Sequence, residues 1–380
     1  MLQCIEIKPY PQQKMKKTSL KPTLDDNRMK SYLQKIATGP KMSKNLTELE
    51  AEDALSLILK EKVSKVKSGV FLIAARMKLE TLEENIGYWK ALDKTTVQYQ
   101  VDLDRLLQIA DPFDGFNRVP YFGFYTIPVL AAMGLPTYGH SAPSLPPKFG
   151  ITFEDILCKQ YGVNSQGNHR QRIELINQFE FGYINTQEAH PLLENLRELR
   201  IEIVKRTTLS TMEKMLMPLQ AKDNYLATSY FHRGYETSMI EAAKLSKFNL
   251  TLVGNGAEGT TLYGVHKPAK VFIASGKEKT DEVVCQLDTM FSEESSTEIG
   301  AAYQALKSEE YDLPKLAEWG ESALKNGTGT ATPLIACQAA VLSHLCGLGL
   351  SYQEGYDTAR KLLEEGSCYK KFMEYVDSLF

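Results

Sequence analysis

Short apolar runs alternate with helical patterns through most of this chain, and that alternation constrains its fold more than any other feature. Strand-length runs lie at 106–110, 135–138, 181–184, 225–230, 249–253 and 270–274. Helical patterning fills the stretches near 120–133, 152–161, 168–178, 189–218 and 235–247, and continues near 297–307, 312–325, 331–347 and 353–366. Strands that alternate with helices are joined by crossovers, which predicts βαβ units and a mostly parallel sheet. No internal repeat competes with this reading.

The N-terminal quarter follows a different rule. Thr47 with Glu50 forms a capping box that opens a helix to about Lys60, with Ala51, Leu55, Ile58 and Leu59 on its inner face. Ser64 can cap a second helix, in which Val66, Gly69, Val70, Ile73, Ala74 and Met77 recur at helical spacing. Thr81 with Glu84 opens a third. Three short helices make a small helical unit, and the polar stretch 93–104 is a plausible crossing to the α/β part. Residues 1–30 hold seven basic and three acidic side chains with little apolar periodicity. They read as a flexible basic tail, either solvated or touching phosphates.

At 380 residues the chain can bury a large core. Its formal charge of −3 gives no global reason to bind nucleic acid or anionic membrane. Six scattered cysteines without a Cys-x-x-Cys pair fit free thiols in a reducing compartment, not a disulfide framework or a zinc site. The uncharged run 119–138 is long enough to raise the membrane question. Pro120, Pro128 and Pro136, with Gly123 and Gly134, argue instead for a buried soluble helix followed by a strand. No secretory signal stands out, so a cytoplasmic protein is expected.

Candidate chemistry gathers after the first α/β strand, where the chain reads Asp111-Pro112-Phe113-Asp114-Gly115-Phe116-Asn117-Arg118. Strand, tight turn and helix present backbone N–H groups and a positive helix end to an anion. Asp114, Gly115 and Arg118 either contact a phosphate or only shape this turn. His140, just beyond a strand end, lines a pocket or is a hydrogen-bonded structural histidine. Lys148 reaches a phosphate or is solvated. Arg197, Arg200, Lys205 and Arg206 lie on or near one helical segment. They hold a carboxylate or phosphate, or pair with Glu194, Glu198 and Glu202. His232 and Arg233 could line the same cleft. Glu258, on a Gly-rich turn, is a lone metal ligand or a capping residue. Gly254, Gly256 and Gly259 are no dinucleotide fingerprint, since 260–263 reads as strand and no helix opens after them.

Residues 47–85 carry a resemblance. Glu50-Ala51, the run from Phe71 to Lys78, Glu80-Thr81 and Glu83-Glu84 resemble the N-terminal helical domain of glycosyltransferase family 3. That is the fold of anthranilate phosphoribosyltransferase and the pyrimidine nucleoside phosphorylases. Weaker matches at 131–136, Lys205-Arg206-Thr207 and 256–259 extend the likeness over most of the chain. The look is closest to the divergent anthranilate phosphoribosyltransferase-like paralogues, through Asp114-Gly115, Arg118, His140 and Ala257-Glu258-Gly259.

The resemblance implies an α/β protein of nucleoside phosphorylase/phosphoribosyltransferase type. A helical domain at 31–100, joined by helices from about 189–218, would sit on an α/β domain at 101–380. It also implies a homodimer and Mg²⁺-dependent transfer of phosphoribosyl from phosphoribosyl pyrophosphate to an aromatic amine or related acceptor. Asp114, Gly115, Arg118, His140, Arg200 and Arg206 would bind substrate, with Arg200 at the family's anthranilate-binding position, and Glu258 would touch metal. No catalytic residue is assigned. Three glycines of the family's diphosphate loop are lost across 111–115, where Pro112 also removes a donor. The Lys-His-Gly-Asn loop becomes Gly139-His140-Ser141-Ala142, and the Asp-Glu metal pair becomes Thr261-Leu262. These departures speak against ordinary anthranilate transfer and tryptophan biosynthesis. The alternative is a non-catalytic dimeric paralogue that binds single-stranded nucleic acid or a phosphorylated ligand.

Overall fold

Reciprocal caps set the first layer. Thr23, Thr47 and Thr81 each accept the N–H three residues on, and Asp26, Glu50 and Glu84 return the bond to the cap backbone. They open α1 (Leu24–Ile36), α2 (Glu48–Leu59) and α4 (Leu82–Asp93), while Ser64 caps α3 (Lys65–Lys78). The computed structural model describes residues 22–39, 41–164, 169–231, 233–276 and 279–380. Residues 24–30, read as tail, are therefore the first turns of α1, because the Thr23–Asp26 box nucleates a helix where apolar spacing is sparse. The remainder of the expected tail, 1–21, lies outside the described residues. α2 and α4 pack with backbones nearly touching: a Cβ on Gly87 would lie 2.3 Å from the Glu48 carbonyl oxygen.

Seven strands form the main sheet in the order β4-β3-β2-β6-β7-β8-β9. They are β2 (Arg105–Ala110), β3 (Thr137–Ser141), β4 (Phe181–Asn185), β6 (Asp223–Ser229), β7 (Leu250–Gly254), β8 (Ala269–Ser275) and β9 (Lys279–Cys285). The first five in this order run parallel, and β8 and β9 pair antiparallel. A separate parallel pair, β1 (Tyr99–Gln100) with β5 (Leu219–Gln220), lies where the chain crosses between the helical and α/β parts. The mostly parallel sheet with its helical domain is the fold class expected from sequence. The uncharged run 119–138 becomes α5 (Gly123–Ala132), buried throughout, and then β3. Among the described residues no helix is long and apolar enough to cross a membrane.

Three expectations change. The stretch 189–218 is not continuous helix. It breaks into Pro191–Glu194, Arg197–Ile203 and Leu209–Met212, because Pro191 can only start a helix and Val204 turns left-handed at φ 62°. The residues 260–263 are buried but not strand, since the free edge of β7 is taken by β8. β9 was unforeseen because Lys279–Glu282 is a polar, exposed edge segment with no apolar alternation.

Succession along the sheet places the site. From β2 the chain adds β3 and β4 on one side, then β6 and β7 on the other. The reversal lies at the carboxyl end of β2, where Ala110 pairs with both His140 and Thr228. Ligands of open α/β sheets bind at such switch points. One core joins α5 to the C-terminal helices. A second runs from α1–α4 onto the opposite sheet face, through Ala110, Leu226, Val253 and Ala274.

Candidate functional site

A cleft opens at this switch point, between α3 and the segments that follow β2, β6 and β7. Asp114 comes from the connection after β2, Tyr230 and Phe231 from the end of β6, and Glu258 from the turn after β7. Arg76 of α3, Tyr235, Arg206 and Lys214 complete its polar and aromatic wall. Arg206 donates from Nε to Asp114 Oδ2 at 2.7 Å and adds a second bond from Nη2. Arg76 bonds the Tyr235 hydroxyl. Lys214 donates its ammonium to the Ser229 carbonyl oxygen.

Titration of the buried floor differs from that of free side chains. Burial pushes the Asp111 carboxyl up to about 7, against the pull of Tyr121, Lys214 and Lys148. Burial likewise pushes Lys214 down to about 8, while Asp111, Glu213 and Asp114 hold it from falling further. An amine and a carboxyl that both titrate near neutrality beside a cleft are the expected signature of a functional site.

The expected site residues fall into two groups. Asp114, Arg206 and Glu258 meet in the cleft. Gly115 shapes the turn: its φ is 69°, its N–H donates to the Pro112 carbonyl, and a Cβ would sit 2.3 Å from the Gly150 carbonyl oxygen. Arg118 is exposed, and only its backbone N–H enters the site. His140 is not beyond a strand but on β3, fully buried, with Nδ1 3.0 Å from the Ile184 carbonyl oxygen. Burial pulls its pKa down to about 4, so it is neutral. Arg200 is away from the cleft and tied to Glu213, at 2.7 and 3.0 Å. Arg197 pairs with Glu194, the partner suggested by sequence, and donates to the Pro143 carbonyl at 2.9 Å. His232 lies outside the described residues.

Glu258 caps rather than coordinates. Its carboxylate accepts the N–H groups of Asn117, Arg118 and Val119 at 3.3, 3.0 and 3.3 Å. Lys148 Nζ lies 3.2 Å from Oε1 and 3.7 Å from Asp114 Oδ1, so Lys148 is a buried counter-ion, not a solvated one. α5 begins only at Gly123, so the donors that meet a carboxylate are loop N–H groups upstream of the helix. The position of the family's metal pair is Thr261, whose hydroxyl is 2.8 Å from the Tyr121 hydroxyl and accepts from Gln338 at 2.9 Å. Among the described residues no group of three or more His, Cys, Asp and Glu side chains is placed to hold an ion. This donor set does not fit a Mg²⁺ held by the protein.

Sequence reasoning missed Lys214, Tyr230 and Tyr235. Lys214 carried a signal, because Glu213-Lys214 interrupts an apolar run from Met212 to Met217 and such a pair is buried by its neighbours. The tyrosines carried none.

A helical bundle on a mostly parallel sheet is the fold of solved anthranilate phosphoribosyltransferases. Residues 30–95 match the helical bundle domain of a glycosyl transferase family. The chain is 28% identical over 222 residues to an uncharacterized protein of Aquifex aeolicus, covering 58% of this chain and 66% of that one. It is 23% identical to the anthranilate phosphoribosyltransferase of Persephonella marina, over 91% of this chain and 98% of the relative. The solved anthranilate phosphoribosyltransferase of Saccharomyces cerevisiae in complex with PRPP and Mg superposes with a TM-score of 0.69 at 17% identity, covering 92% and 97% of the two chains. The chain is therefore similar over most of its length to anthranilate phosphoribosyltransferases, and its helical part matches a glycosyl transferase family model.

Proposed function

We propose that the protein is a phosphoribosyltransferase-like protein that binds a phosphorylated ribose in the cleft. One observation supports this above the rest: Arg76, Arg206 and Lys214 converge with Tyr230, Phe231 and Tyr235 on a single cleft at the switch point. Guanidinium and ammonium groups recognise a phosphate, and the rings offer faces to an aromatic partner. Anion charge is best met by such groups in a partly desolvated cleft. A structural relative is described in complex with PRPP and Mg, which supports the same ligand class here. Any Mg²⁺ in this reading is carried by the ligand's own phosphate oxygens, because among the described residues no group of three or more ligating side chains is placed to hold it and the Asp114 and Glu258 carboxylates are engaged by Arg206 and Lys148.

A homodimer is part of the proposal. Val66, Val70 and Met77 share a face of α3 and are 75, 50 and 77% exposed. The neighbouring helix Arg197–Ile203, packed on α3 around Gly69, adds exposed Ile201. An apolar face of this kind is covered in stable assemblies.

Calorimetric titration with ribose 5-phosphate, and with phosphoribosyl pyrophosphate with and without Mg²⁺, tests the reading. Saturable binding that weakens about tenfold in Arg206→Gln is the expected result. Absence of sugar phosphate binding, with affinity for single-stranded DNA that declines steeply with salt, would replace this reading with the non-catalytic nucleic-acid binder.

A further inference from the structure

The loop that follows Gly115 already holds an anion, and that anion is the protein's own. Three successive N–H groups, of Asn117, Arg118 and Val119, point at one carboxylate. Successive N–H groups of this kind form a concave nest that binds phosphate or carboxylate. Lys148 supplies the cation, and the Lys148 and Glu258 side chains are only 9 and 4% exposed. Glu258 is held there by a left-handed backbone at φ 55°, which a residue other than glycine adopts only when its surroundings favour it. The nest borders the proposed ligand cleft, since Glu258 lines both.

Charge decides what such an arrangement accepts. Two anions cannot share three N–H groups and one ammonium, because each would lose the donors that offset its desolvation. A ligand with one phosphate can be met by Arg206 and Lys214 with Glu258 in place. A ligand with a diphosphate must expel Glu258 or leave its second phosphate facing a carboxylate. We propose that Glu258 is the specificity-determining residue of the cleft: it fills the second anion site, so that the protein selects a sugar monophosphate over a diphosphate. This inference rests on the proposed sugar phosphate cleft for its monophosphate half, and on the Glu258 geometry alone for its diphosphate half.

Removal of the carboxylate should open the nest. Glu258→Gly deletes the side chain and suits the left-handed backbone, and Glu258→Gln keeps the shape without the charge. The probes are inorganic pyrophosphate and ribose 5-phosphate, titrated calorimetrically into the full chain, with thermal melting as the check on folding. Wild type should bind pyrophosphate weakly, and each folded variant about tenfold more tightly, as expected when a phosphate gains charge-assisted donors. Ribose 5-phosphate affinity should rise by clearly less than pyrophosphate affinity does. Equal pyrophosphate affinity in wild type and a folded variant overturns the inference. The two readings fail separately. If wild type ignores ribose 5-phosphate while Glu258→Gly gains pyrophosphate binding, the cleft assignment falls and the nest assignment stands. If ribose 5-phosphate binds and pyrophosphate affinity is unmoved, the reverse holds.

Discussion

Arg200 and Glu213 clasp each other in a two-pronged ion pair, Nη1 to Oε2 at 2.7 Å and Nη2 to Oε1 at 3.0 Å, with the Glu213 side chain wholly buried. The arginine that family resemblance places against an acceptor carboxylate is thus spent inside the protein. Arg200→Met should lower stability by about 3 kcal/mol, the usual consequence of stranding one buried charge. Ribose 5-phosphate affinity should stay unchanged. Arg200→Met with Glu213→Leu should recover most of the loss, because an apolar pair of similar volume replaces the ions. Urea melts beside a titration check both; a large loss of affinity in a folded Arg200→Met protein would return Arg200 to the ligand.

Anion binding should weaken as pH rises from about 7 to above 8. Lys214, pushed down to about 8, is cationic below that pH and loses its proton above it. Asp111, pushed up to about 7, gains a negative charge over the same range and acts in the same direction. Binding should persist at a lower level through the Arg206 guanidinium donors. Calorimetry between pH 6 and 9.5 should show a decline that steepens near pH 8, and Lys214→Met should bind weakly and keep only the shallower decline due to Asp111. An affinity that rises with pH would contradict the assignment.

Gly115→Ala should destabilise the fold by about 2 kcal/mol, because a Cβ meets the Gly150 backbone and φ 69° suits glycine. The Phe116–Ile151 bridge follows directly and would be displaced. Thermal unfolding reads the effect, and an unchanged melting temperature would show that the turn can relax.

The chain should be a homodimer in solution, and Val70→Glu with Met77→Glu should make it a monomer. Light scattering after size-exclusion chromatography gives the mass directly. A monomeric wild type would leave the exposed α3 face to another partner.

What could be read from the sequence was what is encoded locally. Thr47–Glu50 and Thr81–Glu84 announce their helices within four residues, and each apolar run from 106 to 274 became a strand within three residues of its expected ends. The site was legible only in part. Asp114, Arg206 and Glu258 were named and do meet, but their arrangement depends on contacts 92 and 140 residues apart along the chain. Arg200 misled because the break at Val204 folds Glu213 back onto it, a partner 13 residues away that local helical spacing does not show. His140 misled by a few residues, since β3 runs on to Ser141 and buries it.

The continuous second core bears on how this molecule can move. Residues of α1–α4 share one apolar cluster with the sheet residues Leu226, Val253 and Ala274. A bundle grown into the sheet in this way cannot swing as a lid without tearing that interior open. Under the proposal made for Glu258, selection in the cleft is therefore set at the scale of one side chain, rather than by the closing of one domain on another.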